Sequence, residues 1–127
     1  MSMQDLVSDF VARVNNNIMI NRSQVVVLKN KTVINLCKKL TKLGYFVGFE
    51  EDERTLTVNL NLEKIRKITR ISKPGQRIYI SYTDLPKVIN GIGWNILSTP
   101  GGIKTNFEAK RDKMGGELMM QIIGAIS

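Results

Sequence analysis

The run Thr55-Leu56-Thr57-Val58-Asn59-Leu60-Asn61-Leu62 decides the fold class of this chain. Leucine or valine takes every second position and threonine or asparagine the others, so one face of a strand turns inward and the other outward. Tyr45 to Glu50 precedes it and pairs with it as a hairpin, with Glu51 to Glu53 as the turn. With Glu50, that turn gathers four carboxylates, which read either as a solvated turn or as part of a metal site. No partner cluster elsewhere completes a cage, so the turn is preferred and no metal is expected.

Upstream, Thr32 to Leu43 reads as a helix. Val33, Leu36, Cys37, Leu40 and Leu43 face inward, Lys38, Lys39 and Lys42 face outward, Asn30 is the cap and Gly44 the stop. Cys37 falls on the inward face and is read as a small core residue rather than a reactive thiol. Earlier still, Leu6, Val7, Phe10, Val11 and Val14 form one apolar stripe on a helix from Gln4 to Val14 that Ser2 could cap. Arg13 faces off that stripe. The triplet Asn15 to Asn17 is expected to interrupt the helix, and Val25 to Val27 to form a short buried strand.

Downstream, the basic segment Glu63 to Arg77 contains Pro74-Gly75, a turn signal, and a subdomain boundary is placed here. Arg77 to Tyr82 is a β-type run, and Leu85 to Ile92 a short helix with Pro86 in its first turn. Trp94 to Leu97 is a strand, Asn106 to Lys113 a helical turn, and Glu117 to Ile126 a final strand. The fold class is α+β in two small subdomains. Residues 1–64 form an α/β unit (helix, strand, helix, hairpin), and residues 65–127 a mostly β unit with short helices.

Nineteen Lys and Arg against eleven Asp and Glu leave a formal charge of +8. Such a surplus repels itself unless a polyanion neutralises it, and phosphates are the expected partner. A membrane surface is the competing reading, but no basic amphipathic segment stands out. No run approaches the ~18 to 20 apolar residues of a span, and the first ten residues do not read as a leader. The chain has 127 residues, is 43% hydrophobic and contains one cysteine and no histidine. That is enough for a folded interior, excludes an internal disulfide, and removes the commonest residue of metal and acid–base chemistry. A Ser-His-Asp arrangement is impossible here, and a Ser-Lys variant needs a buried lysine that the sequence does not reveal. Neither an enzymatic activity nor a cofactor is expected.

Two glycine-bearing segments remain, Ser98-Thr99-Pro100-Gly101-Gly102-Ile103-Lys104-Thr105 and Met114-Gly115-Gly116-Glu117. Hydroxyls reach base edges, ribose and phosphate, and glycine lets a backbone approach closely. They are read either as RNA-contacting loops or as two ordinary turns. Tyr79, beside Arg77, either stacks on an unpaired base while Arg77 engages phosphate, or packs within a half-buried strand.

The string STPGGIKTNFEAKRDKMGGE resembles the C-terminal signature of the small-subunit ribosomal protein eight family, S-T-x-x-G-[IVM]-x-T, then E-A, then G-G-E. Ile71 to Tyr79 is similar to its S-[KR]-P-G-x-R-x-Y segment, and Asp84 to Val88 with Gly91-Ile92-Gly93 to its L-P-x-V and G-x-G helix. Met3-Gln4-Asp5 with Asp9 and Arg13 resembles its opening. The resemblance covers essentially the whole chain. It implies the same two-part fold, binding to the central domain of small-subunit ribosomal RNA, a part in subunit assembly and translation, and neighbouring small-subunit proteins as partners. No membrane and no small-molecule substrate are implied.

On this resemblance the RNA-contacting candidates are Ser98, Thr99, Gly101, Gly102, Thr105, Tyr79, Arg77 and Lys73. Gly115, Gly116 and Glu117 would brace the loop, and Lys31 with Ser2 and Asp5 would meet a second RNA surface. The chain departs from the family at Pro100-Gly101, at Ile80 to Tyr82 and at Leu6. Those departures, with plentiful Ile, Asn and Lys, point to an organelle-encoded, mitochondrial ribosome, with plastid or bacterial cytoplasm as alternatives. A regulatory RNA-binding protein outside the ribosome is the rival function.

Overall fold

The computed structural model describes residues 3–86 and 93–125. Helix α1 runs Met3–Met19, and Val7, Phe10, Val11 and Val14 on its inner face are all buried. It continues through the asparagine triplet that was expected to end it. Asparagine disfavours helices because its amide competes for nearby backbone groups, but here the amides are committed elsewhere. Asn15 donates to the Ile68 carbonyl at 2.8 Å and accepts from the Ile68 N–H at 2.9 Å, and Asn17 donates to the Gln24 carbonyl at 2.7 Å. Asn21, at φ 58°, then turns the chain in the left-handed region. The expected Ser2 cap lies outside the described residues.

Strand β1 (Gln24–Leu28) is half-buried rather than buried, with Val25 and Val27 inside and Val26 49% exposed, because only one face of its sheet is covered. Helix α2 (Lys31–Lys42) starts at Asn30, whose side chain accepts from the Val33 N–H at 2.8 Å. Val33, Leu36, Cys37 and Leu40 are fully buried, and burial pushes the Cys37 thiol up to about 12, which leaves it a core residue. Strands β2 (Phe46–Glu51) and β3 (Thr55–Leu60) form the expected hairpin, and the first sheet has the order β1-β3-β2.

The second sheet contains β4 (Ile65–Arg70), β5 (Tyr79–Ile80), β6 (Gly93–Thr99), β7 (Gly102–Thr105) and β8 (Gly116–Gly124). All its pairings are antiparallel in the order β4-β8-β6-β7, and β5 follows β4 along the same side of β8. The basic segment was not expected to be a strand. A register shift between Ile65 and Lys67 explains this, since it puts Ile65 and Ile68, three residues apart, both inside and hides the period of two. Arg77 to Tyr82 yields only the two residues of β5. Leu85 and Pro86 are not helical, and the rest of the expected helix there lies outside the described residues. Helix α3 (Asn106–Asp112) stands where a helical turn was expected.

One apolar cluster runs without a break from α1 (Phe10, Val14) and α2 (Leu36, Leu40) to both sheets (Leu56, Val58, Ile68, Met120, Ile122). A smaller one, Leu97, Leu118 and Ala109, seats α3 on the second sheet. The fold is therefore α+β, with a sheet from each half of the chain packed against shared helices. Among the described residues no helix is long and apolar enough to cross a membrane.

Candidate nucleic-acid interface

Between β4 and β5 the chain makes a tight hairpin. Lys73 and Gln76 exchange backbone hydrogen bonds at 3.1 and 3.0 Å across Pro74-Gly75. Its base is locked by Ser72, a buried hydroxyl that accepts from the Ile78 N–H at 2.8 Å. The Arg70 guanidinium donates to the Ser72 carbonyl and, at 3.1 Å, to the Ser8 hydroxyl. Lys73 and Arg77 stand exposed on this short hydrogen-bonded turn.

The register of β8 brings distant residues into one row. Glu117 lies directly opposite Tyr79 on β5 and opposite Ser98 on β6, so the three side chains share one face of the sheet. Tyr79 is 67% exposed, which removes the packing reading of its ring. Ser98 and Arg77 line a cleft of about 180 Å³ with Glu117, Arg70, Ser72 and Thr32. Burial pushes the Arg70 guanidinium down and the Glu117 carboxylate opposes that shift, so the acid is balanced by a cation from the same cleft. The two glycines before Glu117 permit this geometry. A Cβ on Gly115 would stand 2.6 Å from the Ile80 carbonyl oxygen, and one on Gly116 would collide with the Ser98 carbonyl.

Ser98 to Thr105, expected as a loop, is a β-hairpin in which Thr99 pairs with Gly102 and Pro100-Gly101 makes the turn. Thr99 is buried. Its hydroxyl donates to the Gly102 carbonyl at 2.8 Å and accepts from the Gly101 N–H at 3.2 Å, so it shapes the turn rather than projecting from it. Gly102 sits at φ 107°, which an L side chain resists, and the space around it is open. Thr105 faces inward, with 2% exposure, because it caps α3. Its hydroxyl accepts from the Glu108 N–H, and the Glu108 carboxylate accepts from the Thr105 N–H at 3.2 Å.

Glu108 also receives the Lys39 ammonium of α2 on both oxygens, at 2.7 and 3.0 Å, which ties the hairpin and α3 to the first half of the chain. Burial pushes its carboxyl up, but Lys39 and the Thr105 N–H and hydroxyl outweigh that and hold it below the ordinary value. Glu108→Gln is expected to cost about 1 to 2 kcal/mol at pH 7, the low end for a hydrogen bond to a charged group because the pair is partly exposed to solvent. Because the folded value is the lower one, this contribution is full above the ordinary value of about 4.3. It is lost as pH falls through the folded value. Urea midpoints of parent and variant should differ at pH 7 and converge as the pH is lowered through the folded value; a gap that stays constant down the acid series would place the cost elsewhere.

Lys31, the first residue of α2, is exposed and lies in a separate groove with Lys38, Glu51 and Arg54. Ser2 is outside the described residues, and so is the side chain of Asp5, whose backbone is in α1. The acidic turn is exposed, with Glu51 paired to Lys29 at 3.2 Å. Among the described residues no group of three or more His, Cys, Asp or Glu could hold a metal. The structure thus joins Ser98, Tyr79, Arg77 and Glu117, with Lys73 on the adjoining turn, and leaves Lys31 apart. It adds Arg70, Ser72, Thr32, Lys39 and Glu108. Of these, Glu108 carried a local signal, the Thr105-x-x-Glu108 capping box, and Ser72 is the serine of the S-[KR]-P-G segment.

The family model described as Ribosomal protein S8 matches residues 5–123. Proteins named small ribosomal subunit protein uS8 from Bartonella henselae, Bartonella bacilliformis and Brucella melitensis are 35%, 37% and 34% identical to this chain. Each alignment covers 96% of this chain and 99% of the relative. All three relatives are bacterial, so they lend no support to the mitochondrial assignment. That family consists of structural, non-enzymatic ribosomal proteins. A match over nearly all of its length, with identities above a third across 96% of it, shows that the chain belongs to the ribosomal protein S8 family.

Proposed function

We propose that this protein is a structural constituent of the small ribosomal subunit that binds the central domain of small-subunit ribosomal RNA and supports subunit assembly and translation. The row of Tyr79, Glu117 and Ser98, beside the exposed cations Lys73 and Arg77, is the observation that carries the reading. Tyr79 offers a free ring to an unpaired base, Ser98 a half-buried hydroxyl, and Arg77 and Lys73 meet phosphates. Gly101 and Gly102 let the RNA approach the backbone. Thr99 and Thr105 shape the hairpin that presents them, and Gly115, Gly116 and Glu117 brace it from β8. Lys31, with Ser2 and Asp5, belongs to a second contact, and neighbouring small-subunit proteins cover other faces. Residues 1–64 and 65–127 act as two subdomains, the second holding most of the RNA face.

Binding to a fragment of the protein's own central-domain RNA, compared with a scrambled RNA across a salt series, tests this. Tyr79→Ala and Ser98→Ala should each weaken the cognate complex, Tyr79→Ala by the ~1 to 3 kcal/mol of one stacked base, and leave the salt slope unchanged. Lys73→Ala should weaken both RNAs alike and flatten the slope by about 1. Equal binding of both RNAs, with Tyr79→Ala and Ser98→Ala like the parent, would leave only basic charge and favour a non-ribosomal RNA-binding role.

A further inference from the structure

Helix α2 presents Lys31, Asn35, Lys38 and Lys42 at spacings of four, three and four, which places them on one face. The opposite face is the core side, with Val33, Leu36, Cys37 and Leu40 fully buried. Two neighbouring lysines are neutralised within the protein, Lys39 by Glu108 and Lys104 by Asp112, each at 2.7 Å. Among the described residues no carboxylate forms an ion pair with Lys31, Lys38 or Lys42. Like charges four apart on a helix repel, so the fold tolerates a cost at Lys38 and Lys42 that an anion would relieve.

The two ends of this face differ. Near Lys31 the groove is of mixed charge, with Glu51 and Glu53 set among Lys29, Lys31, Lys38 and Arg54, and Glu51 is already paired with Lys29. The other end opens as a groove of about 310 Å³ lined by Asn35, Lys38, Lys39, Lys42, Gly102 and Ile103. Gly102 belongs to the hairpin that also carries Ser98, and nothing occupies the space a Cβ would take there. The Lys39–Glu108 pair fixes helix and hairpin relative to one another.

We propose that Lys38 and Lys42 form a phosphate-binding track, continuous with the hairpin at Gly102, that holds the backbone of the same RNA. This rests on the RNA-binding reading above and extends its contact onto the first half of the chain. About 1.5 Å of rise per residue separates the two ammonium-bearing positions by about 6 Å along the helix axis, which suits two phosphates of one strand. The track contributes affinity and orientation without reading sequence.

The test compares the parent, Lys38→Gln/Lys42→Gln and Arg66→Gln/Lys67→Gln on cognate and scrambled RNA across a salt series. The last pair removes the same charge from exposed positions of β4, at the opposite edge of the second sheet from β7. Loss of two phosphate contacts should flatten the salt slope by about 1.4 to 1.8 for the α2 pair, roughly seven- to twelvefold less affinity lost between 50 and 200 mM salt. The β4 pair should leave the slope as in the parent, and both variants should melt like the parent. Equal flattening by both pairs, or by neither, overturns the track, the second result also leaving the face to an acidic protein. A parent that does not distinguish cognate from scrambled RNA overturns the ribosomal reading instead, and the slope comparison still decides the track.

Discussion

Gly116→Ala is expected to lower the melting temperature by about 10 °C or more, because roughly 3 kcal/mol of overpacking strain is a large share of the stability of a domain this size. A Cβ at this position collides with the Ser98 carbonyl oxygen and comes within 3.1 Å of the Thr99 Cα. Both obstacles are backbone, so no rotamer change relieves them, and β8 and β6 must separate. That seam carries the contact of Glu117 with Ser98, so RNA affinity should fall together with stability. Gly115→Ala meets the Ile80 carbonyl at 2.6 Å and should behave similarly. Gly75→Ala is the control: nothing lies within 4 Å of its Cβ position, so its effect should stay within about 0.5 kcal/mol. Urea denaturation of the three variants decides it, and a Gly116→Ala protein as stable as Gly75→Ala would mean that the close strand approach does not exist in solution.

Legibility in the sequence followed the range of the interaction. The alternation of Thr55 to Leu60 and the cap–stripe–glycine pattern of α2 are local, and both elements stand where they were expected. Strand β4 was hidden because its bulge replaces alternation by a spacing of three between Ile65 and Ile68. The Ser98 to Thr105 hairpin was hidden by composition, since threonine, proline and glycine read as loop while Thr99 closes a two-residue turn. As for the site, Tyr79, Arg77 and Ser98 were legible as candidates, but the row through Glu117 depends on strand register. A register shift between Ile96 and Leu97 decides which residue of β6 faces Glu117, and no local pattern encodes it. Thr105 faces inward for the opposite reason: its hydroxyl looked available, while the capping box that engages it was written in the next three residues.

Asn15 shows how a residue that reads as a helix breaker holds the fold together. Its amide matches the free edge of β4, donating to the Ile68 carbonyl and accepting from the Ile68 N–H, as a further strand would. Because β4 ends its sheet, α1 thereby covers an edge that would otherwise offer unpaired backbone to another chain. Asn15→Ala should cost about 3 kcal/mol, the sum of two part-buried backbone groups left unpaired, less about half a kcal/mol of improved helix propensity. Asn15→Asp discriminates further. At pH 7 its second oxygen faces the Ile68 carbonyl oxygen with no proton between them, whereas the protonated acid restores the donor. The carbonyl therefore raises the folded value of that acid above the ordinary ~3.9, so its favourable contribution is full below that value and lost as pH rises through the folded one. Denaturation midpoints should put Asn15→Asp as far below the parent as Asn15→Ala at pH 7 and much closer to it near pH 3.5. A deficit independent of pH would show that donation to Ile68 is not what secures the edge, and the continuity of α1 through the triplet would then need another cause.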